Sequence, residues 1–183
     1  MRIDIFNTDK KYNLITADPP WKYGSKGPRG GKFGALDYSN MSTSDICDLP
    51  IKEISEDDCA LLLWFTGSFV KDAIEVCEAW GFKVIRIDTV WKKIKKTGGR
   101  HAACGPWGMS DAEFVLLGTK GKAHSMQKVR NQFVVQEAKY TGKHSEKPEE
   151  ILSLFDDRFG DVSKVEIFAR EHREGWDCWG DQC

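Results

Sequence analysis

Short apolar runs alternate with amphipathic stretches along most of this chain. Several runs are too short for buried helices and are bounded by glycine, proline or charged residues, so they predict strands. These strands are expected at Tyr12–Ala17, Cys59–Phe65, Phe82–Lys93, Ala112–Gly121, Asn131–Ala138 and Ser163–Arg170. Because the run at Cys59–Phe65 is apolar without alternation, it favours a strand that is buried on both faces, as in a parallel sheet.

Two segments between these strands have the periodicity of amphipathic helices. In Ser68–Gly81 the apolar side chains recur every three or four residues, and the terminal glycine suits a helix stop. In Lys147–Gly160, Pro148 stands at a helix start and acidic residues fill the first turn. Strands that alternate with helices predict an α/β open sheet, in which ligands bind outside the carboxyl ends of the strands.

Length and composition fit one globular domain. The chain has 183 residues, of which 40% are hydrophobic and 30% charged, and its net charge is −1. We therefore expect a single domain over residues 1–183 and no strongly basic nucleic-acid binder. Lysine and arginine do cluster in Trp91–His101. A solvated loop is the simpler interpretation of that cluster, and a nucleic-acid contact is the alternative.

Cysteine use and the lengths of the apolar runs indicate a compartment. The six cysteines form no CxxC pair and have no histidine at zinc-finger spacing, so no metal site is predicted. The first residues are mixed and polar, which does not predict a signal peptide. No apolar run approaches the ~20 residues of a membrane span. We expect a reduced cytoplasmic protein that does not contact a membrane.

The segment Asp18-Pro19-Pro20-Trp21 directly follows the first predicted strand, and a glycine-rich loop follows it. A residue before proline is restricted to extended conformations, and proline has no N–H. The segment is therefore a stiff turn that presents acceptors only, beside the flat ring of Trp21. Such a turn can hold a planar ring that carries an exocyclic amino group, as adenine does. The structural alternative is a plain β-turn with an aspartate cap.

The chemistry of an aromatic amino group explains why acceptors would matter there. Its lone pair is delocalised into the ring, and acceptance of both amino protons localises that pair on the nitrogen. A methyl sulfonium held in line can then transfer its methyl group without a covalent nucleophile or a metal. The protein supplies position, which can contribute about 7–11 kcal/mol.

Further blocks of sequence occur in a fixed order with this motif: "YSNM", "LLLWFTG", "VWKK", "GMSDAEFVLLGTKG", "HSEKPEE" and "VEIFAREHREGWDCWGDQ". On these blocks the chain resembles the adenine N6-methyltransferases grouped with the seventy-kilodalton catalytic subunit of the eukaryotic mRNA adenosine methyltransferase. The family includes phage and bacterial members that act on DNA. The resemblance covers nearly the whole chain.

The resemblance implies a Rossmann-like fold with a mostly parallel sheet, a permuted (β-class) motif order and S-adenosylmethionine as cofactor. It implies a catalytic motif made of Asp18, Pro19, Pro20 and Trp21. The implied cofactor contacts are Asp4, Ile5, Asp18, Lys147, Arg170, His172, Asp181 and Gln182. The implied contacts with the target base or its strand are Tyr38, Trp64, Trp91 and Lys93. Asp181 departs from the asparagine that the family often has there.

The leading prediction is an S-adenosylmethionine-dependent adenine N6-methyltransferase of phage or bacterial type that acts on DNA rather than RNA. The loops Lys22–Leu36 and Lys92–Met109 would face the nucleic acid, and a homodimer is expected by resemblance. The alternatives are a non-catalytic subunit, an RNA adenosine methyltransferase and a cytosine N4-methyltransferase. The retained aspartate argues against a non-catalytic subunit and against a cytosine enzyme. Without the resemblance, Trp64 would be a core residue, while Trp107 fits base contact and loop packing equally.

Overall fold

The computed structural model of the chain describes residues 1–23, 40–105, 107–142, 146–181 and 183. The strands within these residues are β1 (Tyr12–Ala17), β2 (Ser55–Phe65), β3 (Lys83–Ile94), β4 (Ala103–Gly105), β5 (Gly108–Ser110), β6 (Ala112–Lys120), β7 (Val135–Lys139), β8 (Lys164–Ile167) and β9 (Asp177–Trp179). The α-helices are α1 (Thr43–Cys47), α2 (Val70–Ala79) and α3 (Glu149–Phe159).

Seven of the strands form one sheet in the order β7-β3-β6-β2-β1-β8-β9. Every neighbouring pair in it is parallel except the two pairs that contain β6. The expected α/β fold with a mostly parallel sheet is therefore confirmed. β6 runs antiparallel because the chain between β3 and β6 forms a short hairpin, β4–β5, instead of the long crossover that a parallel pair needs.

Helices cover both faces of the sheet, and each face has its own apolar core. Ile15 packs in the cluster on the side of α1 and α2, and its neighbour Leu14 packs in the cluster on the side of α3. Both side chains are fully buried. Leu61 and Leu62 of β2 divide between the two clusters in the same way. The central strands are thus buried on both faces, as the unbroken apolar run in β2 predicts.

The ends of the helices agree with their sequence signals. Gly160 follows α3 with a φ of 63°, a left-handed conformation that favours glycine. Pro148 is the residue immediately before α3, where its missing N–H costs no helical hydrogen bond. α3 is the longest helix in the described ranges, at 11 residues, and no helix in those ranges is long and apolar enough to cross a membrane.

The topology gathers several chain segments at one edge of the sheet. The parallel strands β1, β2, β3 and β8 all end at this edge, and the antiparallel strand β6 begins there. The residues before α3 reach the same edge, since Lys147 contacts the residue that follows β1. The candidate site lies at this carboxyl edge.

Candidate active site

Asp18 is the first residue after β1, at the carboxyl edge of the sheet. Its backbone N–H donates to the carbonyl of Ile167, the last residue of β8, over 3.4 Å. The side chain of Asp18 is 24% exposed, so its carboxylate is accessible but largely desolvated. The neighbouring strands β1 and β8 therefore fix the position of Asp18.

The two prolines after Asp18 form a turn that the backbone holds closely. The N–H of Trp21 donates to the carbonyl of Pro19 over 2.8 Å, and the N–H of Met41 donates to the carbonyl of Pro20 over 2.9 Å. A carbonyl oxygen has two lone pairs, so the Pro19 carbonyl can still accept a second hydrogen bond. Two backbone hydrogen bonds thus hold the turn at Asp18–Trp21.

Trp21 supports this turn from within the core. Its indole Nε1–H donates to the carbonyl of Trp64 over 3.1 Å, and its ring stacks on Phe69 with centroids 5.4 Å apart. Only 6% of Trp21 is exposed. The sequence interpretation gave this ring an open aromatic face beside the acceptors, whereas in the structure Phe69 occupies one of its faces. The indole therefore anchors the turn instead of offering a broad stacking surface.

Four charged side chains form a continuous chain of contacts at the carboxyl edge. Lys147 Nζ lies 2.6 Å from Asp18 Oδ2 and 3.3 Å from Glu113 Oε2. The other carboxylate oxygen of Glu113 lies 2.6 Å from Lys93 Nζ. We call Asp18, Lys147, Glu113 and Lys93 the charge chain. It joins the end of β1, the start of β6, the end of β3 and the residue before the helix cap of α3.

Burial and neighbouring charges shift the pKa values within the charge chain. Burial disfavours the charged form of Lys147, but Asp18 and Glu113 outweigh it and raise the pKa of this lysine. Burial also disfavours the charged form of Glu113, and there Lys147 and Lys93 prevail and lower its pKa. Burial raises the pKa of Asp18, although Lys147 opposes this effect. Of the two carboxylates in the charge chain, Asp18 is thus the one that accepts a proton more readily.

Trp64 and Trp91 lie beneath the charge chain, and each is 1% exposed. Lys147 Nζ is 5.2 Å from the centroid of the Trp64 ring, and Lys93 Nζ is 4.9 Å from that of Trp91. The indole N–H of Trp91 donates to the carbonyl of Ala138 over 3.0 Å. The two rings form a floor under the ammonium groups, and direct contact of either ring with a target base stays a prediction.

The predicted cofactor contacts divide into two groups. Arg170 follows β8. Its positive charge opposes the rise that burial causes in the pKa of Asp18, which places Arg170 near the charge chain. His172 lies towards the opposite edge, where it lines a cavity of about 320 Å³ with Tyr12 and Lys164, the first residues of β1 and β8. The structure therefore brings Arg170, but not His172, close to Asp18.

The remaining predicted contacts lie near the β9 end of the sheet or outside the described residues. Ile5 is a core residue at 3% exposure, while Asp4 and Asp181 are exposed. The Asp4 carboxylate accepts a hydrogen bond from the N–H of Phe6 over 3.1 Å. The positions of Tyr38 and Gln182 lie outside the residues that the structure describes. Their roles stay predictions.

Sequence reasoning missed two acids of this region, Glu113 and Glu166. Burial raises the pKa of Glu166 to about 7, against the opposing charge of Arg173, whose Nη1 lies 4.0 Å from Glu166 Oε2. Both acids stand inside apolar strand sequences, "AEFVLL" and "KVEIF". An ionisable residue in such a strand is the signal that could have found them, because charged side chains are seldom buried without a partner.

The side chains at this edge fit the amino-acid end of S-adenosylmethionine. The Asp18–Lys147 ion pair carries one charge of each sign, as does the zwitterionic group of that cofactor. A bound zwitterion could therefore replace the mutual contact of Asp18 and Lys147 with one contact to each.

Comparisons with known proteins identify the family of the chain. The family model MT-A70 matches residues 12–182. The type II methyltransferase M.MunI of Mycoplasma sp is 33% identical, over 93% of this chain and 77% of its own length. The N(6)-adenosine-methyltransferase catalytic subunit METTL3 of Homo sapiens is 28% identical, over 94% of this chain and 28% of its own length.

A plant protein is also similar to nearly the whole of this chain. The N(6)-adenosine-methyltransferase MT-A70-like protein of Arabidopsis thaliana is 28% identical, over 99% of this chain and 24% of its own length. The chain thus spans about a quarter of the length of these two eukaryotic relatives and most of the length of M.MunI. Since the family model covers almost the entire chain, the chain belongs to the MT-A70 family of adenine methyltransferases.

Proposed function

We propose that this chain transfers a methyl group from S-adenosylmethionine to the N6 amino group of adenine in DNA. The observation that carries the proposal is the Asp18–Lys147 ion pair of 2.6 Å at the carboxyl edge, held by a stiff turn of two prolines. We also propose that the motif order is permuted, because the catalytic turn follows β1 while the strand leading to Arg170 comes near the end of the chain.

The proposed cofactor site uses Lys147 for the carboxylate and Asp18 for the ammonium of the cofactor. Lys147 directly precedes the cap of α3, and the N-terminus of a helix carries a partial positive charge that favours an anion. Arg170 adds a second positive charge nearby. S-adenosylmethionine supplies an electrophilic methyl group on its sulfonium. Asp4, Ile5, Asp181 and Gln182 are proposed contacts for the rest of the cofactor. His172, which lies towards the opposite edge of the sheet, takes no part in this proposed site.

The proposed role of the turn is to hold the adenine amino group. Asp18 Oδ and the Pro19 carbonyl accept the two amino protons, and no N–H of the two prolines competes for these acceptors. After methyl transfer the nitrogen carries one proton too many. The raised pKa of Asp18 suits it to receive that proton. Lys93, Trp64, Trp91 and Tyr38 are proposed to position the base.

The choice of DNA is supported by M.MunI, a type II methyltransferase that this chain matches over most of its length. We propose that residues 1–183 form one catalytic domain and that the protein acts as a homodimer. The target adenine must leave the base stack to reach Asp18, unless it is already single-stranded.

The direct test is methyl transfer from labelled S-adenosylmethionine to adenine-containing DNA and RNA oligonucleotides, each single- and double-stranded. We expect N6-methyladenine in DNA. Asp18→Asn keeps the shape of the side chain and should lower kcat at least about a hundredfold, as loss of a positioned acid–base group does. The exposed Asp48→Asn is the matched control and should retain activity.

Two outcomes would contradict the proposal. Full activity of Asp18→Asn, with both variants folded by circular dichroism, would remove Asp18 from its proposed role. Transfer to RNA alone would reject DNA as the substrate, although it would leave the site assignment intact.

A further inference from the structure

The hairpin β4–β5 carries an unusually exposed aromatic side chain. Trp107 lies at its tip and is 100% exposed, and Met109 on the same hairpin is 64% exposed. Tryptophan is highly buried on average in folded proteins. From the sequence, loop packing and contact with a nucleobase fit Trp107 equally well. Its full exposure in the structure excludes packing against any described residue. The tip is therefore a free apolar surface.

The base of this hairpin is tied to the candidate active site. The N–H of His101 donates to the carbonyl of Lys93, and the N–H of Lys93 donates to the carbonyl of Asp111, each over 2.9 Å. Lys93 is the last member of the charge chain. From Asp111 to Trp107 the strand spans four residues, or about 13 Å at ~3.3 Å per residue. That reach exceeds the ≈ 8.5 Å depth of the DNA major groove, so the tip is long enough to arrive at the bases.

Positive charge surrounds the base of the hairpin but not its tip. Lys95, Lys96 and Arg100 are all exposed and precede the hairpin along the chain. Arg100 has a neighbouring carboxylate, Asp111, at 3.6 Å, whereas the side chains of Lys95 and Lys96 form no hydrogen bond or ion pair within the described residues. The hairpin thus carries positive charge at its strand ends and an apolar aromatic ring at its tip. This arrangement matches a DNA duplex, which has phosphates outside and stacked nucleobases inside.

We propose that Trp107 enters the DNA duplex and stacks on the bases next to the target adenine when that adenine leaves the helix. The proposal rests on the DNA methyltransferase function proposed above. Proteins that kink or open DNA insert apolar side chains between base steps, and an aromatic ring stacks on any base without a sequence requirement. Trp107 is thus a positioning residue that stabilises the opened duplex, while Asp18 contacts the extruded base.

The test compares two duplexes of the sequence that the wild-type protein methylates. One is fully paired, and in the other the target adenine faces an abasic site, so that little base pairing has to be broken. Trp107→Ala should lower kcat/KM on the paired duplex at least about tenfold, as loss of one base-stacking contact implies. On the abasic duplex its kcat/KM should stay within about threefold of wild type, and Trp107→Phe should restore most activity on the paired duplex.

A spectroscopic readout separates base extrusion from general damage. With 2-aminopurine in place of the target adenine, wild-type protein should raise the fluorescence of the paired duplex, and Trp107→Ala should lose most of that rise. Phe133→Ala is the matched control, because Phe133 is also an exposed aromatic residue, at 85%, but lies before β7. It should behave as wild type does.

The outcomes distinguish this inference from the proposed function. If the wild-type protein transfers no methyl group to DNA, the proposed function and this inference both fail. If the wild-type protein methylates DNA and Trp107→Ala acts equally well on the paired duplex, only the inference fails. Equal losses on both duplexes, together with a change from dimer to monomer in sedimentation, would identify the tip as a protein–protein contact and overturn the inference.

Discussion

At the scale of single residues, Lys147 is the centre of the site because it contacts two carboxylates at once. Its side chain is only 9% exposed, so its charge depends on Asp18 and Glu113 instead of water. A charged group in such surroundings needs its partners, and loss of one partner leaves an uncompensated buried charge. The same partners raise the pKa of Lys147 and so keep it charged, as the proposed contact with the cofactor carboxylate requires.

Lys147→Met tests the proposed role of this lysine in cofactor binding. The substitution keeps the length and removes the charge, so the Kd for S-adenosylmethionine should rise about ten- to a hundredfold, the range for a lost hydrogen bond to a charged group. Isothermal titration calorimetry measures this change. Lys128→Met, an exposed lysine beyond the other end of α3, is the control and should bind normally. Unchanged affinity in Lys147→Met would exclude the contact.

Glu166 gives the stability of the protein a specific pH dependence. Burial raises its pKa in the folded state to about 7, above its ordinary value of 4.5. The folded state therefore binds the proton more tightly, and stability falls as pH rises from about 4.5 to 7 by up to about 3 kcal/mol. Glu166→Gln should lack this decline in chemical denaturation, whereas the exposed Glu174→Gln should keep it. Identical pH profiles for wild type and Glu166→Gln would contradict the assignment.

At the scale of elements, the antiparallel strand β6 completes the site. In a parallel sheet only strand ends reach the carboxyl edge, but a strand that runs the other way brings its first residues there. Glu113, the second residue of β6, pairs in register with Trp91 near the end of β3. This reversal allows Glu113 to bridge Lys147 and Lys93. The one exception to the parallel order of the main sheet thus supplies a member of the charge chain.

The packing of α2 on β6 depends on the absence of a side chain at Gly118. A Cβ atom at this position would lie 2.6 Å from Cys77 Sγ and 3.0 Å from Phe82 Cβ, which is too close. Gly118→Ala should therefore lower the free energy of unfolding by about 1–3 kcal/mol, as overpacked cores do. Addition of Cys77→Ala should recover part of this loss. Gly67→Ala is the control, because its Cβ would meet only Phe114 at 3.7 Å.

Denaturant unfolding measures these differences, and the double mutant isolates the Gly118–Cys77 interaction. If Gly118→Ala is as stable as wild type, the packing of α2 on β6 is looser than the structure indicates. If Cys77→Ala fails to relieve the loss, Phe82 or the backbone is the limiting contact.

At the scale of the whole molecule, a near-neutral net charge conceals an uneven distribution. The net charge is −1, yet exposed Lys95 and Lys96 follow the end of β3 at the carboxyl edge, on the side of the sheet where the charge chain lies. A polyanion is attracted by such a local cluster even when the total charge is small. Lys95 and Lys96 therefore lie on the same side of the sheet as Asp18, as the proposed DNA-binding face requires.

Salt dependence tests this distribution. DNA affinity should fall linearly with the logarithm of salt concentration, and Lys95→Gln with Lys96→Gln should reduce the slope by roughly 2 if both lysines contact phosphates. Fluorescence anisotropy with labelled duplex DNA measures the slope. Lys52→Gln with Lys83→Gln removes two exposed lysines near the opposite edge and should leave it unchanged. Equal slopes for both double variants would place the DNA elsewhere.

Much of this architecture was predictable because its signals are local. β1 was predicted at its observed bounds, and the glycine stop of α3 was predicted correctly. The hairpin β4–β5, the strand β9 and the direction of β6 were not predicted. The small strands have three residues each, too few for a periodic pattern, and strand direction depends on how the connections travel. Lys147 was identified by resemblance, whereas the place of Glu113 in the site became visible only in the folded structure.

By itself, the sequence determined the α/β class and the acceptor turn after β1, since apolar patterning and proline restriction act on neighbouring residues. The methyltransferase family came from the resemblance of its motif blocks, which the family model bears out. Only the tertiary structure decided which charges meet: Asp18, Lys93, Glu113 and Lys147 are far apart in the chain and converge through the order and direction of the strands. It also decided that Trp21, Trp64 and Trp91 are buried while Trp107 is not. Burial of an aromatic ring depends on what packs over it, and residues distant in sequence supply that cover.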